Sequence, residues 1–160
     1  MVERSVAAAY EPSTGELMVV RENVDESNLD GLRLVVAHEL VHRGQHLRHP
    51  ELFDRVDSVV RRTFDYISDG GSDLEVILGN AKEIQSIMTV FESHAVYVQE
   101  VLRETRFPNA MIESHFSLAA VLLRFFAGAK VAQYRDGVPQ VAEATRNGRV
   151  DQMYANLGAR

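Results

Sequence analysis

The chain has 160 residues, of which 46% are hydrophobic and 25% are charged, with a net charge of −6 and no cysteine. This length and composition predict a single domain, residues 1–160, with a hydrophobic core of its own. The lack of cysteine excludes disulfides, thiolate metal sites, iron–sulfur clusters and cysteine nucleophiles, so any metal ligands must be His, Asp or Glu. Because the chain is acidic and its Lys and Arg are scattered, we expect no nucleic-acid partner.

Segments for targeting and membrane insertion are not evident in the sequence. Residues 1–9 lack the apolar stretch of a signal peptide, and nowhere do about 18 apolar residues follow one another. We therefore expect a cytoplasmic protein with no membrane partner.

The first predicted element is a β-hairpin. Val6 to Tyr10 and Leu17 to Arg21 are β-type runs, and residues 11–15 between them favour a turn. This is the only convincing strand signal in the sequence. We therefore expect a mainly α (α+β) fold, with an N-terminal hairpin followed by about five or six helices.

The rest of the chain has helical periodicity. Ser27 and Asp30 suit the N-cap of the first helix, and Pro50 predicts that this helix stops by His49. Glycine, proline and asparagine residues delimit the later helices. These are predicted from Pro50 or Glu51 to about Ser68, from Leu74 to Arg103 with a kink near Gly79 and Asn80, from Met111 to Arg135, from Pro139 to Asn147, and from Val150 to Leu157.

The clearest functional signal is the H-E-x-x-H pattern at His38-Glu39-Leu40-Val41-His42 in the first helix. Residues i and i+4 lie on one helix face, so both imidazoles can bind one ion while Glu39 acts as general base on a metal-activated water. The alternative is an amphipathic helix with two surface histidines. The apolar residues around the motif disfavour it, because burial of these side chains without a metal costs desolvation free energy.

A catalytic zinc site needs a third protein ligand. His46 lies about 12 Å along the helix from His38, so we expect His46 and His49 to face solvent or to support the ligands. The third helix offers Glu92 and His94, which point about 200° apart, so only one of them can reach a given metal. Helical phase slightly favours His94 for the buried side, yet a lone histidine there is more often a core residue, and Glu92 is equally explained as a solvated carboxylate. The residues alone leave both candidates open.

Three blocks of the chain, VAHELVH (residues 36–42), VFESHA (90–95) and KVAQYRDG (130–137), resemble a zincin-like bacterial family. Its members are uncharacterised zinc-dependent metalloproteases or hydrolases, and some are linked to coenzyme F420 biosynthesis. In that family the position of His94 can be tyrosine while the acid is kept, so the resemblance implies Glu92 as the third ligand, with His94 as the alternative. The chain departs from the family in having Ser93 where glycine is usual, and in a shorter N-terminal part.

The resemblance also implies a role for Tyr134, which lies in the third block. Tyr134 is the first candidate for stabilising the charged intermediate, ahead of Tyr97 and His115, although packing of Tyr134 in the core explains its presence equally well. Small zincins can pair an edge strand with an extended peptide, and here Leu17 to Arg21 would be that strand.

Together these observations predict a zinc metallopeptidase. Zn²⁺ is the expected cofactor, His38, His42 and Glu92 its ligands, Glu39 and Tyr134 the catalytic residues, and a peptide or protein the substrate. Two alternatives remain: a zinc hydrolase of a non-peptide amide or small molecule, and a catalytically inactive zincin-fold binding module. The apolar residues of the third and fourth helices fit either a homo-oligomer interface or a central buried helix.

Overall fold

The computed structural model describes residues 7–111 and 137–159. Within these residues the predicted mainly α layout, a hairpin followed by five helices, is confirmed. The predicted helix from Met111 to Arg135 lies outside the described residues, apart from Met111, which is not helical. The strands are β1 (Ala8–Glu11) and β2 (Glu16–Val19), and the helices are α1 (Leu29–Arg48), α2 (Pro50–Ser68), α3 (Leu74–Arg106), α4 (Val138–Arg146) and α5 (Val150–Gly158), with a short 3-10 turn at Arg21–Asn23.

The hairpin packs on α1 through its first strand. β1 and β2 are antiparallel, with Ala8 opposite Val19, and Gly15 closes the turn at a φ of +71° that favours glycine. The side chains of residues 8–10 are buried and β1 contacts α1, whereas β2 is mostly exposed. The Val20 N–H donates to Ala7 O, so by the alternation of an antiparallel pair the backbone N–H and C=O of Tyr10 point away from β2.

The cap of α1 differs from the prediction by one residue. The Asn28 side chain accepts a hydrogen bond from the Gly31 N–H, and the Asn28 amide donates to Met111 O at 2.7 Å. Ser27 is instead engaged with Asp25, because both its N–H and its hydroxyl donate to Asp25 Oδ1. The Ser27 side chain is therefore committed to a local turn. The predicted stop of α1 before Pro50 is confirmed.

The remaining described helices follow the predicted boundaries closely. α2 begins at Pro50, and α3 runs continuously through Gly79 and Asn80 to Arg106, three residues past the predicted end. Gly148, at a φ of +63°, separates α4 from α5. In the part of the chain that the structure describes, no helix is both long and apolar enough to cross a membrane.

α3 is the central helix because it packs against α1 on one side and α2 on the other. Its apolar side carries most of the core, and Tyr154 of α5 joins this cluster. Glu92 and Gln99, seven residues apart and both buried, lie on the side that meets α1. The buried residues of the apolar cluster are Leu52, Val59, Ile84, Ile87, Met88, Phe91 and Tyr154.

Candidate metal centre

Two helices bring three metal-ligating side chains together. His38 and His42 come from successive turns of α1, and Glu92 comes from α3. His38 Nε2 lies 3.3 Å from Glu92 Oε2, and His42 Nε2 lies 3.5 Å from Glu92 Oε1. One ligand atom from each residue falls within 4.8 Å of the other two. Each oxygen of one carboxylate thus faces one imidazole, in what we call the His38–His42–Glu92 cluster.

The structure places Glu92, and not His94, in this cluster. Glu92 is only 4% exposed, so the interpretation of it as a solvated carboxylate is wrong. His94 is half-buried, and its Nδ1 lies 2.6 Å from the Tyr154 hydroxyl. Burial, followed by the charges of His42 and Arg48, lowers the pKa of His94, which favours a neutral ring. Helical phase alone favoured His94 over Glu92, because that reasoning allows only one buried stripe on a helix. α3 is instead buried on two sides, against α1 and against α2.

The donor set of the cluster fits a divalent cation. Two imidazoles and one carboxylate are the protein ligands of many catalytic zinc sites. Among the described residues, no group hydrogen-bonds to His42 Nε2, although this atom is buried. A buried imidazole nitrogen without a partner is costly, and a cation bound by His38, His42 and Glu92 would supply that partner.

Electrostatics at His38 also favour positive charge in the cluster. Burial alone would lower the pKa of His38, but the hydrogen bond and charge of Glu92, the charge of Glu39 and a hydrogen bond with Gln99 outweigh it, and the pKa is raised. Two acidic side chains therefore make this buried position attractive to a cation or a proton. A metal ion that binds here must compete with that proton.

Glu39 lies beside the cluster with one oxygen already engaged. The Tyr10 N–H, which points away from β2, donates to Glu39 Oε2 at 2.9 Å. Burial raises the pKa of Glu39, although His42, His38 and the Tyr10 N–H each lower it. A buried carboxyl group with a raised pKa is a better proton acceptor than an exposed one, as general-base catalysis requires.

Tyr10 attaches the hairpin to α1 at two points. Besides the backbone bond to Glu39, its hydroxyl lies 2.8 Å from His46 Nδ1. The strand next to the site is thus β1, and an extended peptide paired with the free edge of β2 would lie two strand spacings, about 9.6 Å, from β1. The predicted strand Leu17 to Arg21 is also shorter than expected, because β2 ends at Val19.

His46 and His49 stand outside the cluster, as expected, but neither is a solvated side chain. His46 is half-buried, with its ring centroid 4.8 Å from that of Phe53. His49 stacks on Tyr154 at a centroid distance of 4.6 Å. Both histidines therefore pack the α1 surface away from the candidate metal ligands.

A hydrogen-bond network contacts His42 at Nδ1, the ring nitrogen that does not face Glu92. His42 Nδ1 lies 2.8 Å from Gln45 Oε1, and Gln45 Nε2 donates to both Phe91 O and the Tyr154 hydroxyl at 2.9 Å. Tyr154 continues the network to His94. Burial raises the pKa of Tyr154, so its hydroxyl keeps its proton.

Sequence reasoning missed these supporting residues. Gln45 follows its partner His42 by three residues, and Gln99, which hydrogen-bonds to His38, follows Glu92 by seven, so helical spacing alone could have placed each glutamine on the same helix face as a candidate ligand. Tyr154 has no such local signal, because it reaches Gln45 from 109 residues away.

Tyr134 and His115 lie outside the described residues, as do Lys130 and Gln133 of the third sequence block. The last residue of that block, Gly137, is described and is the N-cap of α4. A Cβ added at Gly137 would collide with Ser93 Oγ and approach Ser93 Cβ to 2.9 Å. The end of the third block therefore packs directly against the residue that follows Glu92.

No protein-family model, no curated protein and no solved structure matches this chain. The resemblance to the zincin-like bacterial family rests on the three sequence blocks, and the function must be argued from the geometry of the site.

Proposed function

We propose that this protein is a zinc-dependent metallopeptidase. The observation that carries the proposal is the convergence of His38, His42 and Glu92 beside Glu39, whose Oε2 is held by a backbone N–H. A helix with two surface histidines would not need a buried glutamate from another helix between them.

The metal ligands would be the Nε2 atoms of His38 and His42 and the carboxylate of Glu92. Zinc held by two neutral imidazoles and one carboxylate would keep a positive charge, and would supply a Lewis acid that polarises a carbonyl group and lowers the pKa of water. His38 is the most exposed of the three side chains, at 13% against 8% for His42 and 5% for Glu92, so solvent and substrate would enter from its side.

Glu39 is the proton carrier in this mechanism. The Tyr10 N–H fixes Oε2, so Oε1 is the atom that takes the proton when the oxygen of water attacks the carbonyl carbon. As the C–N bond of the intermediate breaks, Glu39 Oε1 returns that proton to the leaving nitrogen. The raised pKa of Glu39 suits both steps, because the group must accept and then release a proton.

A specific observation favours a second candidate, the hydrolysis of a small non-peptide amide. Residues 8–10 of β1, the strand nearest to Glu39, are buried, and the Tyr10 N–H is already bonded. A peptide would therefore pair with the exposed strand β2, whereas a compact amide needs no strand at all. The peptidase remains the first candidate because the H-E-x-x-H pattern with Glu39 is typical of metallopeptidases, and because β2 offers an exposed strand in the hairpin that contacts α1.

The test compares the wild type with Glu39→Gln and His38→Ala, all purified without chelator and without a metal-affinity step. We expect about one zinc per chain in the wild type and in Glu39→Gln, hydrolysis only in the wild type, and no zinc in His38→Ala. Zinc is measured by elemental analysis, and activity with a peptide library and a panel of small amides. Equal turnover in a zinc-loaded Glu39→Gln sample would exclude Glu39 as the base, and absence of zinc from the wild type after incubation with zinc would exclude the proposal.

A further inference from the structure

The side-chain amide of Gln45 makes three hydrogen bonds in a buried environment. Its Oε1 lies 2.8 Å from His42 Nδ1, and its Nε2 lies 2.9 Å from both Phe91 O and the Tyr154 hydroxyl. Gln45 is 3% exposed, so water does not compete for these positions. Each of its hydrogen-bonding atoms thus has a defined partner.

The Phe91 carbonyl decides which way this amide points. A carbonyl oxygen only accepts hydrogen bonds, so the NH₂ group of Gln45 must face Phe91 and its oxygen must face His42. Because the Gln45 oxygen only accepts, the facing His42 Nδ1 must carry the hydrogen. Neutral imidazole in solution prefers its hydrogen on Nε2, and the network therefore selects the less common tautomer of His42.

This tautomer leaves a lone pair on His42 Nε2, which faces Glu92 Oε1 at 3.5 Å. Two acceptors then face one another with no hydrogen between them, which explains why the buried Nε2 has no hydrogen-bond partner among the described residues. A cation between the two atoms would convert an unfavourable contact into two ligand bonds.

The network continues beyond Gln45. The Tyr154 hydroxyl accepts a hydrogen bond from Gln45 Nε2, and it lies 2.6 Å from His94 Nδ1. α5 is thereby connected to α1 through one glutamine. Loss of the Tyr154 hydroxyl would remove one bond of Gln45 but leave its bonds to His42 and Phe91 in place.

We propose that Gln45 is a positioning residue of the metal centre, which holds His42 in the Nδ1–H tautomer with Nε2 directed at the cation. The proposal rests on the proposed zinc site. Supporting hydrogen bonds of this kind typically change metal affinity by about 10- to 100-fold when they are removed. This positioning role differs from a purely structural one, because Gln45 determines which ring nitrogen of His42 carries the hydrogen.

The first measurement is the tautomer of His42 in the metal-free wild type, from the ¹⁵N chemical shifts of the histidine ring. We expect the hydrogen on Nδ1. A neutral His42 with its hydrogen on Nε2 would overturn the proposal. Because the metal-free protein is used, this result is independent of whether zinc binds.

The second measurement is zinc affinity, by competition with a chromophoric chelator, in three variants. Gln45→Leu removes the acceptor and should weaken zinc binding by about 10- to 100-fold, with His42 moving to the Nε2–H tautomer. Gln45→Glu, with its second oxygen protonated to donate to Phe91 O, keeps an acceptor for the His42 Nδ1–H, and Tyr154→Phe keeps the Gln45 amide, so each should bind zinc within about tenfold of the wild type.

Unfolding temperatures in chelator separate positioning from stability. A purely structural Gln45 would lower the unfolding temperature of Gln45→Leu without moving the His42 hydrogen or the zinc affinity of the folded protein, and this result would overturn the proposal. A wild type that binds no zinc would instead contradict the proposed function, while the tautomer measurement still decides the role of Gln45. If Gln45→Leu does not fold, the wild-type tautomer and Gln45→Glu still provide the test.

Discussion

The two buried sides of α3 differ in chemical character, because one is apolar and the other carries ionisable groups. On the side that meets α2, Ile87 and Phe91 pack with Leu52 and Val59 in an apolar core. On the side that meets α1, Glu92 lies between two histidines, and its neighbours are polar. The same helix thus carries a hydrophobic interface along one side and an ionisable one along the other.

The difference separates stability from chemistry. Burial of apolar surface contributes about 25 cal/mol per Å², so the α2 side favours the folded state whether or not a metal is bound. Burial of carboxylates and imidazoles costs free energy unless hydrogen bonds or a cation compensate. We therefore expect substitutions on the α2 side to change unfolding, and substitutions on the α1 side to change metal binding.

The largest expected effect is on the α1 side, at the third ligand. Glu92→Ala should weaken zinc binding by about 10³-fold, or about 4 kcal/mol, because it removes the only carboxylate of the cluster. His94→Ala is the matched variant two residues away, and should change the affinity by less than about tenfold. Zinc competition assays test both, and the reverse order would reassign the third ligand to His94.

On the α2 side, Leu52→Ala should lower the free energy of unfolding by about 3 kcal/mol, because Leu52 is 1% exposed and its loss leaves a cavity. Zinc affinity of the folded protein should not change. Leu47→Ala is the control, since Leu47 is 68% exposed and its truncation should change stability by less than about 0.5 kcal/mol. Denaturant unfolding in chelator gives both values, and a parallel loss of zinc affinity in Leu52→Ala would show that the two sides are coupled.

A smaller effect is expected where α4 meets α3. Gly137→Ala should lower the free energy of unfolding by about 2 kcal/mol, because the new Cβ collides with Ser93. Ser93→Gly in the same chain should restore part of the loss, since it removes the atoms in collision. Gly79→Ala is the control, because a Cβ there meets no atom of residues 7–111 or 137–159 within 4 Å and alanine should stabilise α3 by about 0.5–1 kcal/mol. If the losses in unfolding free energy from Gly137→Ala and Ser93→Gly simply added in the double variant, that result would contradict the predicted collision.

The smallest effect concerns the hydroxyl of Tyr10. Tyr10→Phe removes the bond to His46 but keeps the backbone N–H that holds Glu39, so we expect a loss of about 1 kcal/mol in unfolding free energy. Zinc affinity and turnover should stay at the wild-type level. A large fall in turnover with normal stability would show that this hydroxyl takes part in the chemistry, and would extend the reactive region beyond the α1 side of α3.

The sequence was sufficient to predict the parts of the site that depend on local spacing. His38, Glu39 and His42 lie within five residues of one helix, so the periodicity of that helix decides their arrangement. The hairpin and the helix boundaries at Pro50 and Gly148 likewise follow from local turn chemistry. Where two neighbouring residues both suit a cap, as Ser27 and Asn28 do, an additional bond to Asp25 decided the outcome.

Contacts between distant segments could not be predicted in this way. The choice between Glu92 and His94 depends on helices that pack on both sides of α3, and no periodicity within α3 reports this. The support of His42 depends on Gln45, on a backbone carbonyl of α3 and on Tyr154 of α5. Residue type gives no indication of such a network, because glutamine and tyrosine are common on helix surfaces.

The contact between Gln45 and Tyr154, which are 109 residues apart, has a consequence for biosynthesis. During synthesis on the ribosome, the H-E-x-x-H motif leaves the exit tunnel well before Glu92, and α5 follows later still. A nascent chain thus displays two histidines long before it has Glu92 or the complete hydrogen-bond network of His42. At the proposed zinc site an ion that arrived early would meet an incomplete set of ligands, so we expect stable metal loading to follow the folding of α3 and α5 onto α1.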